Sequence, residues 1–186
     1  MFETNVKLTY DILEYCRHNS INKLIILGSS SEYGRKKNPI SETDFLDPMT
    51  IYEGTKSAAS MLAQSYSFTY NIPITLVRPF TIYGENEKPN KLTQILFNTY
   101  KNKDKLYLTS GVHDYMYIED FINALLKITF YKENEIFNIV NVGSGIQTTN
   151  EDFVRCVQDI LNYNFIVELT NNKKIYDSEN WTCNTQ

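Results

Sequence analysis

Apolar residues recur along this chain with two distinct periods. Between Thr4 and His18, the residues Val6, Tyr10, Leu13 and Cys16 fall at helical spacing, and Asn19-Ser20 predicts the end of that helix. Lys23-Leu24-Ile25-Ile26-Leu27 is then a short apolar run closed by Gly28, the pattern of a strand buried on both faces of a parallel sheet. A polar loop through Pro39 and Pro48 leads to a second predicted helix at about 52–70, with Ala59, Leu62, Tyr66 and Tyr70 along one side. Ile72-Pro73 closes it, and Ile74-Thr75-Leu76-Val77 is the next buried strand. Strand, crossover helix and strand together predict a doubly wound α/β fold with parallel strands.

Beyond that unit the spacing predicts a helix over 91–102, a short strand at Leu106-Tyr107-Leu108, and a helix over 118–130 with Phe121, Ala124, Leu125 and Ile128 on one face. Phe137-Asn138-Ile139-Val140 is a third strand, Gly143-Ser144-Gly145 a turn, and Asn150 the predicted cap of a helix reaching Leu161. Phe165 to Leu169 closes the series as a last strand, and the polar tail beyond Asn171 is expected to be loose. Parallel strands are expected at 23–28, 74–79 and 136–140. There are no internal repeats.

Composition narrows the function classes. The 186 residues are 42% hydrophobic and 22% charged, an ordinary balance for one packed domain. The net charge is −4, which argues against nucleic acid as a partner, and Arg35-Lys36-Lys37 reads as solvated loop charge. Cys16, Cys156 and Cys183 are odd in number and far apart, which fits neither a disulfide framework nor a zinc site, so no metal is expected. Cys16 and Cys156 are expected to pack as small apolar groups in a reducing cytoplasm. No apolar run approaches the ~18 residues that would cross a bilayer, and no signal peptide is visible.

Three clusters carry chemistry. Gly28-Ser29-Ser30-Ser31-Glu32-Tyr33-Gly34 follows the first strand directly, Tyr52-Glu53-Gly54-Thr55-Lys56 opens the following helix, and Arg78-Pro79-Phe80-Thr81-Ile82-Tyr83-Gly84 ends the next strand. Tyr-x-x-x-Lys occurs twice, so context must discriminate. The Tyr33/Lys37 copy lies in a loop with Pro39 just beyond. The Tyr52/Lys56 copy opens a helix between two buried strands, where i,i+4 spacing puts both side chains on one face. A phenol of pKa about 10 is a poor base at neutral pH, and a nearby ammonium favours the phenolate. Ser29, Ser30 and Ser31 sit where α/β sheets place ligands; capping a turn is their alternative role. For Glu32 the alternatives are a base and a solvated loop carboxylate.

In order and spacing these clusters resemble the extended short-chain dehydrogenase/reductase family, in its NAD(P)-dependent nucleotide-sugar epimerase/dehydratase branch. The resemblance continues through His113-Asp114-Tyr115-Met116-Tyr117-Ile118-Glu119-Asp120 and Asn138-Ile139-Val140-Asn141-Val142-Gly143-Ser144-Gly145. It implies the back half of a Rossmann-type sheet over 1–84 and a small α+β sugar-nucleotide-binding part over 85–186, with strand 136–140 returning to the sheet. It further implies hydride transfer at a sugar C4, with Tyr52 as acid/base and Lys56 holding the nicotinamide ribose. Ser30 would orient the sugar oxygen, with Ser29 or Ser31 as alternatives because one residue is missing before Tyr33-Gly34. Glu32 would abstract a proton if the reaction includes dehydration. Pro79 and Phe80 would line the nicotinamide pocket. Ser31, Thr81 and His113 would meet the substrate, with Thr81 standing where relatives carry Asn and His113 where they carry Arg.

Family members begin with a strand and a Gly-x-x-Gly-x-x-Gly turn that holds the cofactor pyrophosphate. None of the seven glycines here forms that turn. The expectation is an N-terminally truncated member with NAD or NADP as cofactor and a nucleotide sugar as substrate. A homodimer or a complementing N-terminal half is its expected partner. Leu24–Leu27 would then be an open apolar edge. The alternative is a non-catalytic remnant that binds a sugar nucleotide or serves as a dimerisation module.

Overall fold

A computed structural model describes residues 1–132, 134–170 and 178–185. A five-residue π-helix, Glu3–Lys7, runs into α1 (Leu8–His18), followed by β1 (Leu24–Leu27), a 3-10 turn (Ser30–Tyr33), α2 (Ile51–Tyr70) and β2 (Ile74–Pro79). Next come β3 (Thr81–Tyr83), α3 (Leu92–Asn102), β4 (Leu106–Thr109), β5 (Val112–Tyr117), α4 (Ile118–Phe130) and β6 (Phe137–Val142). The series closes with β7 (Gln147–Thr149), α5 (Asn150–Leu161) and β8 (Val167–Thr170).

The central sheet has the order β1-β2-β6 with every strand parallel. Alternation along β2 sends side chains to two different cores. Ile74 and Leu76 join Leu13, Cys16, Ala63 and Phe137 beneath α1 and α2, whereas Val77 joins Phe121 and Val142 beneath α4. The sheet is thus covered on both faces, which is why β2 is buried from Ile74 through Arg78. β1 behaves differently. It pairs only with β2 among the described residues, and Leu27 is 46% exposed, so β1 is a half-buried edge strand instead of one covered on both faces.

Two smaller sheets complete the chain: β3-β5-β7, in which β3 and β5 run parallel and β7 antiparallel, and the parallel pair β4-β8. The latter lies over a separate core of Leu96, Leu106, Leu108, Val154 and Phe165. Side chains cap the starts of two helices, α2 and α5. Thr50 and Glu53 form a reciprocal capping box at α2. At α5 the cap is Thr149, whose Oγ1 accepts from Asp152 N, and not Asn150. Asn150 is instead turned inward, donating from Nδ2 to Thr109 O and accepting from the Tyr115 hydroxyl.

The tail departs from expectation. Residues 171–177 lie outside the described set, but 178–185 is a bound strap. Ile40 N donates to Thr182 O, Asn184 N donates to Ile40 O, and Cys183 N donates to Asp114 Oδ2 at 3.0 Å. Cys183 is buried with Tyr33, Ile40 and Phe80. Cys16 is buried as expected, but Cys156 is exposed, because it lies on the outer face of α5. Lys36, expected to be solvated, is half-buried and donates to Tyr33 O.

Asp114 is the hub of this region. Fully buried, it accepts from Ser144 N and Ser144 Oγ at Oδ1, and from Gly145 N and Cys183 N at Oδ2. A Cβ on Gly143 would stand 2.6 Å from both Asp114 Oδ2 and Cys183 Cβ, so only glycine fits there. Asp114→Ala would leave buried donors without an acceptor, at about 1–3 kcal/mol each. We expect a loss of about 3 kcal/mol or more, read as a lower urea midpoint at unchanged m-value.

Candidate active site

The carboxyl ends of β1 and β2 open onto one cleft of about 550 Å³. Its wall includes Ser29, Ser30 and Ser31 from the turn after β1, Tyr52 from the first turn of α2, and Pro79, Phe80 and Thr81 from the end of β2. Val112 and His113 face them from β5, and Trp181 closes one side from the strap. Chain reversals at these strand ends bring together residues from positions 28 to 181, as in other open α/β sheets.

Of the sequence-predicted residues, Ser30, Ser31, Tyr52, Pro79, Phe80, Thr81 and His113 all line this cleft. Tyr52 is 42% exposed, its ring open to the cleft. Lys56, one helical turn further on, is half-buried and donates to Leu27 O at 2.9 Å. Burial pushes its ammonium below the ordinary lysine value, and the Glu32 carboxylate opposes that shift. His113 Nδ1 and Thr81 Oγ1 are hydrogen-bond partners at 3.3 Å.

The serine turn separates its three hydroxyls. Ser29 is the turn's cap: its Oγ accepts from Ser31 N, and the Glu32 side chain accepts from Ser29 N. Ser30 and Ser31 line the cleft without that capping duty. Glu32 departs from the reading of a solvated loop carboxylate. It is fully buried rather than solvated, and it lies behind the cleft wall instead of in it. Its Oε1 accepts from Ser29 N at 2.8 Å and its Oε2 pairs with Arg78 Nε at 3.0 Å. Tyr33, the loop copy of the Tyr-x-x-x-Lys motif, is also fully buried, its hydroxyl held between Arg78 and Asn141.

Sequence reasoning missed three contributors. Lys88 and Lys91 stand at the cleft's rim as exposed cations. Their i,i+3 spacing after Gly84 was the available signal. Trp181, the chain's one tryptophan, packs on Phe80 with ring centroids 6.2 Å apart. No group of three or more potential metal ligands occurs among the described residues.

Comparison with known proteins bears on the family and the fold. A model of the "NAD dependent epimerase/dehydratase family" matches residues 1–143. An uncharacterized UDP-glucose epimerase of Bacillus subtilis, YtcB, is 28% identical over 159 residues, 84% of this chain and 50% of the relative. Protein CapI of Staphylococcus aureus is 33% identical over 132 residues, 68% of this chain and 39% of the relative. Among solved structures, UDP-glucuronic acid 4-epimerase of Bacillus cereus, in complex with UDP-glucuronic acid and NAD, superposes with a TM-score of 0.87 at 26% identity, covering 96% of this chain and 57% of that one. The dTDP-glucose 4,6-dehydratase of Bacillus anthracis shares the fold, with a TM-score of 0.89 at 24% identity. The chain spans about half the length of the curated relatives it matches.

The strap makes the site's thiol chemistry predictable. Burial, aided by the nearby Asp114 carboxylate, pushes the Cys183 thiol up to about 12, and burial also raises Cys16. Only the thiolate reacts quickly. At pH 8 an aromatic disulfide reagent should therefore label Cys156 alone in the native protein and all three cysteines in denaturant, as read by peptide mass spectrometry.

Proposed function

The chain belongs to the NAD dependent epimerase/dehydratase family, and from that premise we propose that it acts on a nucleotide-activated sugar by NAD(P)-linked hydride transfer at C4. The observation that carries this reading is the convergence of Ser30 and Tyr52 on one cleft at the strand ends, with Lys56 a turn behind. The B. cereus structure holding both NAD and a UDP-sugar supports the choice of ligands.

The residues present fit the nicotinamide end of such a cofactor. An ammonium has three donors; Leu27 O takes one from Lys56, and a ribose hydroxyl would take another, beside Pro79 and Phe80. The pyrophosphate has no Gly-x-x-Gly-x-x-Gly turn in this sequence. A segment carrying one would dock on the unpaired side of β1, where Leu27 is exposed. When bound, the cofactor exchanges hydride with the sugar. Tyr52 takes and returns the proton on the sugar's hydroxyl, and Lys56 favours the phenolate that does so. Ser30 orients the same oxygen. Thr81 and His113 meet the substrate across the cleft, with Lys88 and Lys91 placed to draw its phosphates.

Exposed apolar residues support a homodimer. Leu8, Ile12 and Tyr15 form a stripe on α1, and Met61 and Phe68 lie seven residues apart on α2. Three unpaired thiols are in keeping with a cytoplasmic setting, and no described helix is long and apolar enough to cross a membrane.

The catalytic assignment is tested by assaying UDP-sugars with NAD, using the chain alone and the chain co-expressed with a polypeptide that carries the Gly-rich turn. Tyr52→Phe should lower turnover by about 10²–10⁴-fold with the circular dichroism spectrum unchanged; an unaltered rate would remove Tyr52 from the mechanism. Pairing is tested separately. Sedimentation should give twice the 21.7 kDa chain mass, and Leu8→Glu combined with Phe68→Glu should return it to one.

A further inference from the structure

Glu32 lies one residue beyond the cleft-lining serines yet takes no part in the wall. Each of its oxygens is committed. Oε1 accepts from Ser29 N at 2.8 Å, and Oε2 accepts from Arg78 Nε at 3.0 Å. Its own carbonyl accepts from Asp47 N. The contact is close enough that a Cβ on Gly28 would stand 2.5 Å from Oε1. Arg78 is buried too and continues the network, donating to the Tyr33 hydroxyl at 2.8 Å. That hydroxyl donates to Asn141 Oδ1, and Asn141 Nδ2 reaches Ile40 O.

The same corner is held from its other side. Lys56 Nζ donates to Leu27 O at 2.9 Å, and Gly28 N donates to Val77 O at 2.8 Å. Leu27, Gly28 and Ser29 are therefore fixed in succession by a cation from α2, a strand carbonyl and a buried carboxylate. Ser30 and Ser31 follow immediately and inherit their placement in the cleft from that corner.

We propose that Glu32 is a positioning residue that anchors the Ser29–Ser31 turn through Ser29 N and Arg78, and that it does not take a proton from the substrate. To act as a base it would have to leave Ser29 N and strand the buried Arg78 charge without its partner. It would also have to pass the serine wall. Glu53, the one carboxylate among the described residues of the cleft wall, is committed as well: its Oε2 accepts from Met49 N and Thr50 N. Proton transfer in the cleft then falls to Tyr52 at the sugar hydroxyl, the chemistry of inversion or reduction at the carbinol carbon. Elimination driven by a carboxylate of this loop has no group to carry it.

The kinetic part of this inference rests on the nucleotide-sugar reading; the anchoring part does not, and two measurements separate them. In the first, turnover is compared across Glu32→Gln and Glu32→Ala. The amide oxygen of glutamine can still accept from Ser29 N; its NH2 then faces Arg78 Nε, which costs stability, but Arg78 keeps the Tyr33 hydroxyl as an acceptor, so the folded Glu32→Gln protein should retain turnover within about tenfold. Glu32→Ala should lose a hundredfold or more, mostly in kcat, and the glutamine variant thereby rescues it. A base would lose about 10²–10⁴-fold in both variants alike, and a hundredfold loss in Glu32→Gln with the fold intact overturns the proposal. In the second, amide hydrogen exchange at Ser29 is followed by NMR without substrate. Exchange should accelerate at least about tenfold in Glu32→Ala, which deletes the acceptor; unchanged exchange overturns the anchoring role. If Glu32→Ala does not fold, Glu32→Asp, one methylene short of Ser29 N, carries the same comparison. A wild-type protein that converts no sugar sinks the nucleotide-sugar reading and leaves the exchange result to decide this one.

Discussion

A carboxylate and a guanidinium are buried together at the carboxyl end of the central strand, and most of the site is arranged around keeping them satisfied. Neither Glu32 nor Arg78 meets solvent to any useful extent, so each charge must be compensated by protein groups. Arg78 spends its donors on Glu32 and the Tyr33 hydroxyl and lies over the Tyr33 ring at 4.6 Å. Glu32 spends its second oxygen on Ser29 N. The network therefore ties the β1 corner, β2, β6 through Asn141, and the loop at Ile40 into one polar unit. A buried network of this kind has few equivalent arrangements, because any shift leaves a group unpaired in a low-dielectric setting.

That constraint propagates to the strap. Ile40, which receives Asn141 Nδ2 on its carbonyl, also exchanges backbone hydrogen bonds with Thr182 and Asn184. Asp114 grips the same strap at Cys183 N while capping the Gly143–Gly145 turn that follows β6. Two buried acids, Glu32 and Asp114, thus fix the two sides of the cleft, one through the serine turn and the other through the segment that carries Trp181. Both hold backbone amides, and both crowd a glycine.

How much of this was legible in the sequence depended on whether the controlling interaction was periodic. β2, β6 and the helices were readable because their apolar residues repeat against a sheet covered on both faces, and the elements fall within a residue or two of their expected bounds. The cleft residues were readable from motif order, since strand ends in a doubly wound sheet gather them on one side. The strap was not, because its attachment runs through backbone bonds and single contacts that leave no period in Ser178–Thr185. The apolar run of β1 does not encode how many neighbours it has, and its edge position was legible only from the absence of the Gly-rich turn. Glu32 looked like a loop carboxylate because its partner is 46 residues away on another strand.

Charge and burial are unevenly distributed along the cleft, in keeping with the substrate proposed above, which is polar with an anionic end. Ser30 is buried and Lys56 partly desolvated at the corner beside Tyr52; in the reaction proposed above, a proton shared between Tyr52 and the substrate hydroxyl would therefore be felt by the lysine charge. The rim is wet and cationic at Lys88 and Lys91, where phosphates can be drawn in with little desolvation cost. Burial lowers the Lys56 ammonium, and Glu32, the same carboxylate that holds the serine turn, opposes that shift. One buried acid therefore serves geometry and electrostatics at once. Both of its oxygens are committed, to Ser29 N and to Arg78, which is the opposite of the free and mobile carboxylate that proton abstraction requires.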